Sequence, residues 1–293
     1  MLVARPLKLA ELHVHLEGTV RYETAVELAA ANGLRPPPPY RYSDLPGFFE
    51  IYFPVARSMV TAEDFERVIL EHAASMREQG IAYAEISINP SLHEGADWTA
   101  GMAAGRDRAR SQFGVEIAWL FELVRGGDEN DWAIDLALDT EGVVGLGLVG
   151  DEWVSAVDLK PLIARARKAG LGFMPHAGQV GGPEVVREAV DVLGATRIAH
   201  GVAAARDEDL MRLLADRGVC LCVCPSSNAR VGLKPDYRVL AEHGIALTVN
   251  SDDPAMVDTT LTRELDVAEK DFGFSRSALI ENSWKYRFAR HAG

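Results

Sequence analysis

The sequence predicts a (β/α)8 barrel of the TIM type, in a single domain spanning residues 1–293, and three observations carry that prediction. Eight short runs rich in β-branched and apolar residues recur along the chain. Segments with helical periodicity separate them, several closing on glycine. The runs are apolar almost throughout rather than alternating, the pattern of strands covered on both faces in a parallel sheet.

The first expected strand is LKLAELHV (7–14), followed by IAYAEISI (81–88), VEIAWLF (115–121) and VVGLGLV (143–149). LGFMPH (171–176), TRIAH (196–200), VCLCVC (219–224) and IALTVN (245–250) complete the set. Between strands one and two, TAEDFERVILEHAASMREQG reads as a helix with Thr61 and Asp64 in capping positions and Gly80 at its close. VSAVDLKPLIARARKAG, DEDLMRLLADRG and PDYRVLAEHG read as further helices, each ending on glycine. The same first interval contains RPPPPYRYSDLPGFFEIYF. Its proline run predicts a polyproline segment, and the aromatic stretch after it predicts short helices. An insertion there sits over the barrel mouth, as a substrate lid or as a structural loop. No internal repeat and no flexible linker divides the chain.

At 293 residues, 48% hydrophobic and 25% charged, the chain has the composition of a soluble globular protein with a sizeable core. A formal charge of −13 opposes nonspecific binding to nucleic acid or an anionic membrane, because the summed field repels phosphate. MLVARPLKLAELHVHLEG holds no apolar stretch long enough for a signal core, and no later segment approaches a membrane span. The expectation is a cytoplasmic protein with a small-molecule substrate. Cys220, Cys222 and Cys224 alternate with apolar residues and share one strand face, which suits buried structural thiols better than a zinc knuckle or a disulfide.

Polar residues collect where such a barrel builds its sites. His13 and His15 in ELHVHLEG are two apart and point to one side of a strand. His176 ends strand five, His200 ends strand six, and Asp252 and Asp253 follow strand eight. All fall at the C-terminal ends of strands. Several histidines and an aspartate converging there form a nitrogen and oxygen shell for a divalent metal with room for water, which predicts a metal-assisted hydrolase.

ELHVHLEG, GDE (150–152), HAGQ (176–179), AHG (199–201), CPSSN (224–228) and SDDP (251–254), in that order, resemble the adenosine deaminase family of the amidohydrolase superfamily. The likeness runs on to ENSWKYRFA, so it covers nearly the whole chain. It implies one zinc ion per chain, with His13, His15, His176 and Asp252 as ligands. It further implies that His200 orients and deprotonates the attacking water, and that Asp253 holds a purine ring nitrogen. Gly150 matches the backbone group that meets the purine. Glu17 stands where the family has a ribose-binding aspartate, so the sugar or its replacement differs.

Two further positions depart from the family pattern. The family element is His-Ala-Gly-Glu, whose glutamate protonates the ring nitrogen beside the attacked carbon; here Gln179 stands in its place. A carboxamide donates and accepts hydrogen bonds but gives up no proton at usable pH. Ser87 replaces an arginine common to the family. The sequence therefore reads as a zinc-dependent, adenosine deaminase-like hydrolase of an amino-substituted purine nucleoside or related heterocycle, with Gln179 and Asp253 reading the ring edge. Hydrolysis of another C–N bond on a non-purine substrate, and a Glu-to-Gln form of a conventional deaminase that binds without turnover, are the alternatives.

Overall fold

The computed structural model describes residues 8–288; Leu7, Ala289 and the two ends of the expected 1–293 domain lie outside them. Eight strands follow one another round a sheet in sequence order, each parallel to the next. They are β1 (Leu9–His15), β2 (Ile81–Ile88), β3 (Glu116–Val124), β4 (Val143–Val149), β5 (Gly172–Ala177), β6 (Arg197–His200), β7 (Cys220–Val223) and β8 (Ala246–Val249). The eight expected strands thus all form, as a nearly closed barrel. Its closing seam is not a regular ladder. The Leu12 amide donates to Asn250 Oδ1 (2.9 Å), the His15 amide to the Asp252 carbonyl (2.8 Å) and the Asp252 amide to the His13 carbonyl (3.2 Å).

The interval after β1 holds three helices, α1 (Tyr22–Ala31), α2 (Leu45–Ser58) and α3 (Ala62–Gln79). The proline run is irregular as expected. The aromatic stretch forms one continuous helix, α2, rather than short pieces. Asp44 caps its N-terminus and Pro46 occupies its first turn, where a missing N–H costs nothing, while Phe48, Ile51, Tyr52 and Val55 bury one face. This helix packs on the turns that follow β1 and β2, at the mouth of the barrel. In α3 the Thr61 and Asp64 side chains and backbones form a reciprocal capping box, and Gly80 ends the helix at φ 78°.

The remaining helices are α4 (Trp98–Arg108), α5 (Asn130–Asp139), α6 (Lys160–Lys168), α7 (Pro183–Asp191), α8 (Glu208–Asp216), α9 (Pro225–Arg230), α10 (Tyr237–Glu242), α11 (Pro254–Val257), α12 (Leu261–Phe272) and α13 (Arg276–Tyr286). The segment from Val154 was expected to be helical throughout. It forms a short 3-10 turn at Val157–Leu159 before α6, because Pro161 starts a helix far better than it continues one.

The inside of the barrel is filled by side chains such as Leu12, Tyr83, Leu120, Met174 and Cys222. All three cysteines are buried and free. At the end remote from the strand C-termini, Arg197 is buried against Glu85 and donates to the Tyr286 carbonyl (3.0 Å), with the Phe288 ring 3.8 Å from its guanidinium carbon. Among the described residues no helix is long and apolar enough to cross a membrane.

Candidate metal centre and active site

A bulge in β1 between Glu11 and Val14 resets the alternation after the inward Leu12, so that His13 and His15 both reach the axis. His13 Nε2 lies 3.2 Å from His176 Nε2 and 3.2 Å from Asp252 Oδ1, and His15 Nε2 lies 3.3 Å from the same carboxylate oxygen. One donor atom from each of His13, His15, His176 and Asp252 lies within 4.8 Å of all the others.

The far side of each ring tests whether this set fits a cation. His15 Nδ1 faces Glu122 Oε1 (3.1 Å), His13 Nδ1 faces the Cys222 carbonyl (3.4 Å), and His176 Nδ1 faces the Leu148 carbonyl (3.3 Å). Carbonyl acceptors on that side favour the proton at Nδ1 of His13 and His176 and turn their Nε2 lone pairs to the common centre, and at His15 the Glu122 carboxylate stands beside Nδ1 as an ion-pair contact without a formed hydrogen bond. A buried cluster of lone pairs and a carboxylate is unfavourable unless a cation sits among them, and the residues fit a divalent metal.

Charge follows from the same packing. Burial pushes the pKa of His176 well below its usual value, and the neighbouring His13, His15 and His200 act in the same sense. Burial opposes ionisation of Asp252, yet His13 and His200 outweigh it and hold its carboxyl well below the usual range. Asp253 goes the other way, raised well above the usual range by burial and by the Asp252 charge beside it. Its Oδ1 is buried without a partner. Gly18 makes room for it, since a Cβ there would lie 2.0 Å from that oxygen.

His200 stands 3.8 Å from Asp252 Oδ2, and burial pushes its pKa down to about 3. Both His200 and Asp252 adopt φ 63°, a left-handed conformation that costs non-glycine residues on the order of 1 kcal/mol and is retained where surrounding contacts demand it. Ser227 Oγ donates to Asp252 Oδ2 (2.6 Å).

Gln179 lies in the loop after β5. Its Nε2 donates to Asn228 Oδ1 (3.2 Å), and Asn228 Nδ2 donates to the Tyr237 hydroxyl (2.9 Å). The loop is tied down by Glu152, which accepts from the backbone N–H groups of Gly178 (2.8 Å), Gln179 (3.1 Å) and Gly181 (2.8 Å). Gly150 follows β4 at φ 102°. Glu17 is wholly buried; its Oε1 accepts from His93 Nε2 (2.9 Å) and the Asn89 amide (3.2 Å), and its Oε2 has no partner. Ser87 is buried in β2 with its hydroxyl unpartnered.

Sequence reasoning missed Glu122, Glu152, Asn228 and His93. Glu152 and Asn228 lie inside quoted motifs, but nothing in a linear string shows a carboxylate gathering three amides of a distant loop. Glu122 had a readable signal, an acid near the C-terminal end of a barrel strand. Cys224 was read as a buried thiol only; its Sγ lies 3.4 Å from His13 Nδ1, against the metal-binding set.

A parallel barrel with three histidines and an aspartate at its C-terminal mouth, and a further histidine beside them, defines a metal-dependent hydrolase of the amidohydrolase kind, acting on C–N bonds other than peptide bonds. The chain belongs to the adenosine deaminase family, whose sequence profile matches residues 8–288. It is 36% identical to an aminodeoxyfutalosine deaminase from Streptomyces coelicolor, over 93% of this chain and 77% of that one. It is 35% identical to an adenine deaminase from Sinorhizobium medicae, over 92% and 89%. The crystal structure of an adenine deaminase from Arthrobacter aurescens superposes with a TM-score of 0.90 at 29% identity, covering 97% of this chain and 95% of that one.

Proposed function

We propose that this protein is a zinc-dependent aminohydrolase, holding one ion per chain, that releases ammonia from an amino-substituted purine or related nitrogen heterocycle. The observation that carries the reading is the convergence of three Nε2 atoms and Asp252 Oδ1, with His200 and the unpartnered Asp253 Oδ1 on the same rim. His13, His15, His176 and Asp252 would hold the ion, which would supply the Lewis acidity that makes water a competent nucleophile at neutral pH. The chain's own groups do the rest. His200 is neutral at pH 7 and accepts the proton of the attacking water, then returns it to the leaving nitrogen. Asp253, whose carboxyl is pushed upward in pKa by burial and by the Asp252 charge, has an unpartnered buried oxygen and would hold a ring nitrogen. Gln179 and the backbone at Gly150 complete the contacts to the ring.

Glu17 favours a free base over a nucleoside. In the resemblance its position belongs to a sugar ligand, but here one carboxylate oxygen is committed to His93 and Asn89 and the whole side chain is buried. Only Oε2 is left for a ligand, and a side chain one methylene longer than aspartate and half committed in this way departs from the ribose grip of the resemblance.

Elemental analysis together with ammonia release tests the proposal. We expect about one zinc per chain, lost in His15→Ala and kept in His200→Ala, whose hydrolytic activity is abolished. Across a panel of aminopurines with and without ribose, the free bases are the better substrates. Zinc uptake unaffected by His15→Ala overturns the ligand assignment, and a zinc-loaded protein that releases ammonia from no amino-substituted nitrogen heterocycle overturns the substrate class.

A further inference from the structure

Gln179 is held from both ends. Glu152 fixes its backbone N–H and those of its neighbours, and the completely buried Asn228, anchored in turn on Tyr237, takes its Nε2 hydrogen. One of the two Nε2 hydrogens is thereby committed, and Oε1, to which no described residue donates, is the acceptor left free for a bound ring. A carbonyl oxygen only accepts. Placed against a ring nitrogen that carries a lone pair, it is repelled; placed against a ring N–H, it forms a hydrogen bond. Where the donor belongs to a charged group, such a bond contributes about 1.5–3 kcal/mol, roughly tenfold to a hundredfold in selectivity.

We propose that Gln179 is the specificity-determining group of this site, an acceptor that selects amino-heterocycles whose ring nitrogen beside the amino-bearing carbon already carries its proton, that is, basic cyclic amidines present as amidinium cations at neutral pH. The inference rests on the hydrolytic reading above and names the substrate class for it.

The chemistry closes without an acid at position 179. Water attacks the amidinium carbon; a C–O bond forms, and the C=N π pair moves onto nitrogen and neutralises the cation. His200 takes the proton released by the water. It returns that proton to the amino nitrogen, the C–N bond breaks, and the hydroxyl pair closes the C=O bond as its proton leaves with ammonia as ammonium. The sum is amidinium plus water to lactam plus ammonium. The ring N–H is never lost, so its bond to Gln179 Oε1 persists from substrate to product. A neutral aminopurine must instead gain a proton on its ring nitrogen during attack, and no carboxyl stands at position 179 to provide it. The titratable side chains around Gln179 are His200 and Tyr237 across Asn228 and Glu152 beneath the loop, with Asp252 and Asp253 on the turn after β8.

The test uses the metal-loaded protein with adenine and 3-deazaadenine, which share a shape but differ in the basicity of N1. We expect kcat/KM at pH 8 to be about a hundredfold higher for the deaza compound. For adenine it should rise about tenfold for each pH unit lowered, tracking the protonated fraction. Gln179→Glu should raise the adenine rate by about two to four orders of magnitude and abolish that slope. In His200→Ala, which binds without turnover, calorimetry in two buffers of different ionisation enthalpy should show uptake of close to one proton per adenine bound at pH 8, and markedly less with the deaza compound. A flat adenine profile, equal rates on the two compounds, or equal proton uptake overturns the inference while leaving the hydrolytic reading intact. Absence of ammonia from every amino-heterocycle overturns both.

Discussion

Glu152 gathers three amide hydrogens with one carboxylate, so the reach of Gln179 depends on a residue that itself touches no substrate. Replacing it by glutamine leaves a single acceptor oxygen and places an NH2 group against a backbone N–H. Glu152→Gln is expected to keep the metal and lower kcat about a hundredfold, the usual cost of a reacting group displaced by about 1 Å; steady-state kinetics with metal analysis checks both. His72 carries a different residue-level prediction. Burial holds its pKa down to about 4, and its Nε2 has no partner. The unfolded chain therefore binds the extra proton between pH 6.5 and 4, and stability falls as pH drops through that window. At about 1.4 kcal/mol per unit the loss is up to ~3 kcal/mol. Urea unfolding of His72→Gln between pH 4 and 7 should show a flatter acid limb; an unchanged limb removes His72 from the account.

Among the elements, the floor of the barrel depends on a pair the site never uses. Arg197 on β6 and Glu85 on β2 are both buried, and the carbonyl of Tyr286 at the end of α13 and the ring of Phe288 close over the guanidinium. Arg197→Met strands a buried carboxylate and should cost about 3–5 kcal/mol in urea unfolding, while Arg197→Met with Glu85→Leu should recover most of the loss. Elements of this kind show where the sequence was readable. Each strand is written in apolar runs, and α3 advertises its ends through Thr61, Asp64 and Gly80. The four residues gathered at the candidate metal centre were legible because strand ends place them without knowledge of any distant contact. Partnerships across the barrel were not: Asn228 with Gln179, Glu122 with His15 and Glu17 with His93 join residues whose separation in the chain conceals them. The aromatic run of α2 misled because aromatic spacing next to prolines looks broken, whereas Pro54 falls inside a helix held by its buried face.

For the whole molecule the metal is a stabilising ligand as well as a reagent. An ion present at about a thousand times its dissociation constant adds about 4 kcal/mol to the folded state. Chelation should lower the melting temperature by roughly 10 °C, given a few degrees per kcal/mol for a chain of this size. Calorimetry before and after treatment with a chelator, then with zinc restored, checks this, and a melting temperature unmoved by chelation contradicts the ligand set. The charge of −13 works in the same direction, since a bound cation relieves part of the self-repulsion.

The irregular seam between the first and last strands also has a meaning in time. Leu12 and Asn250, which bond across it, are 238 residues apart, and Asp252 sits on the same join. A ribosome releases His13 and His15 almost at once, and they wait through nearly the entire act of translation before the aspartate that would complete their proposed cage emerges. The centre is thus a clasp fastened last. A chain cut short between His176 and β8 carries three of the four proposed ligands and cannot shut, so premature termination there leaves an open ring with exposed strand edges, the kind of product that cellular quality control recognises.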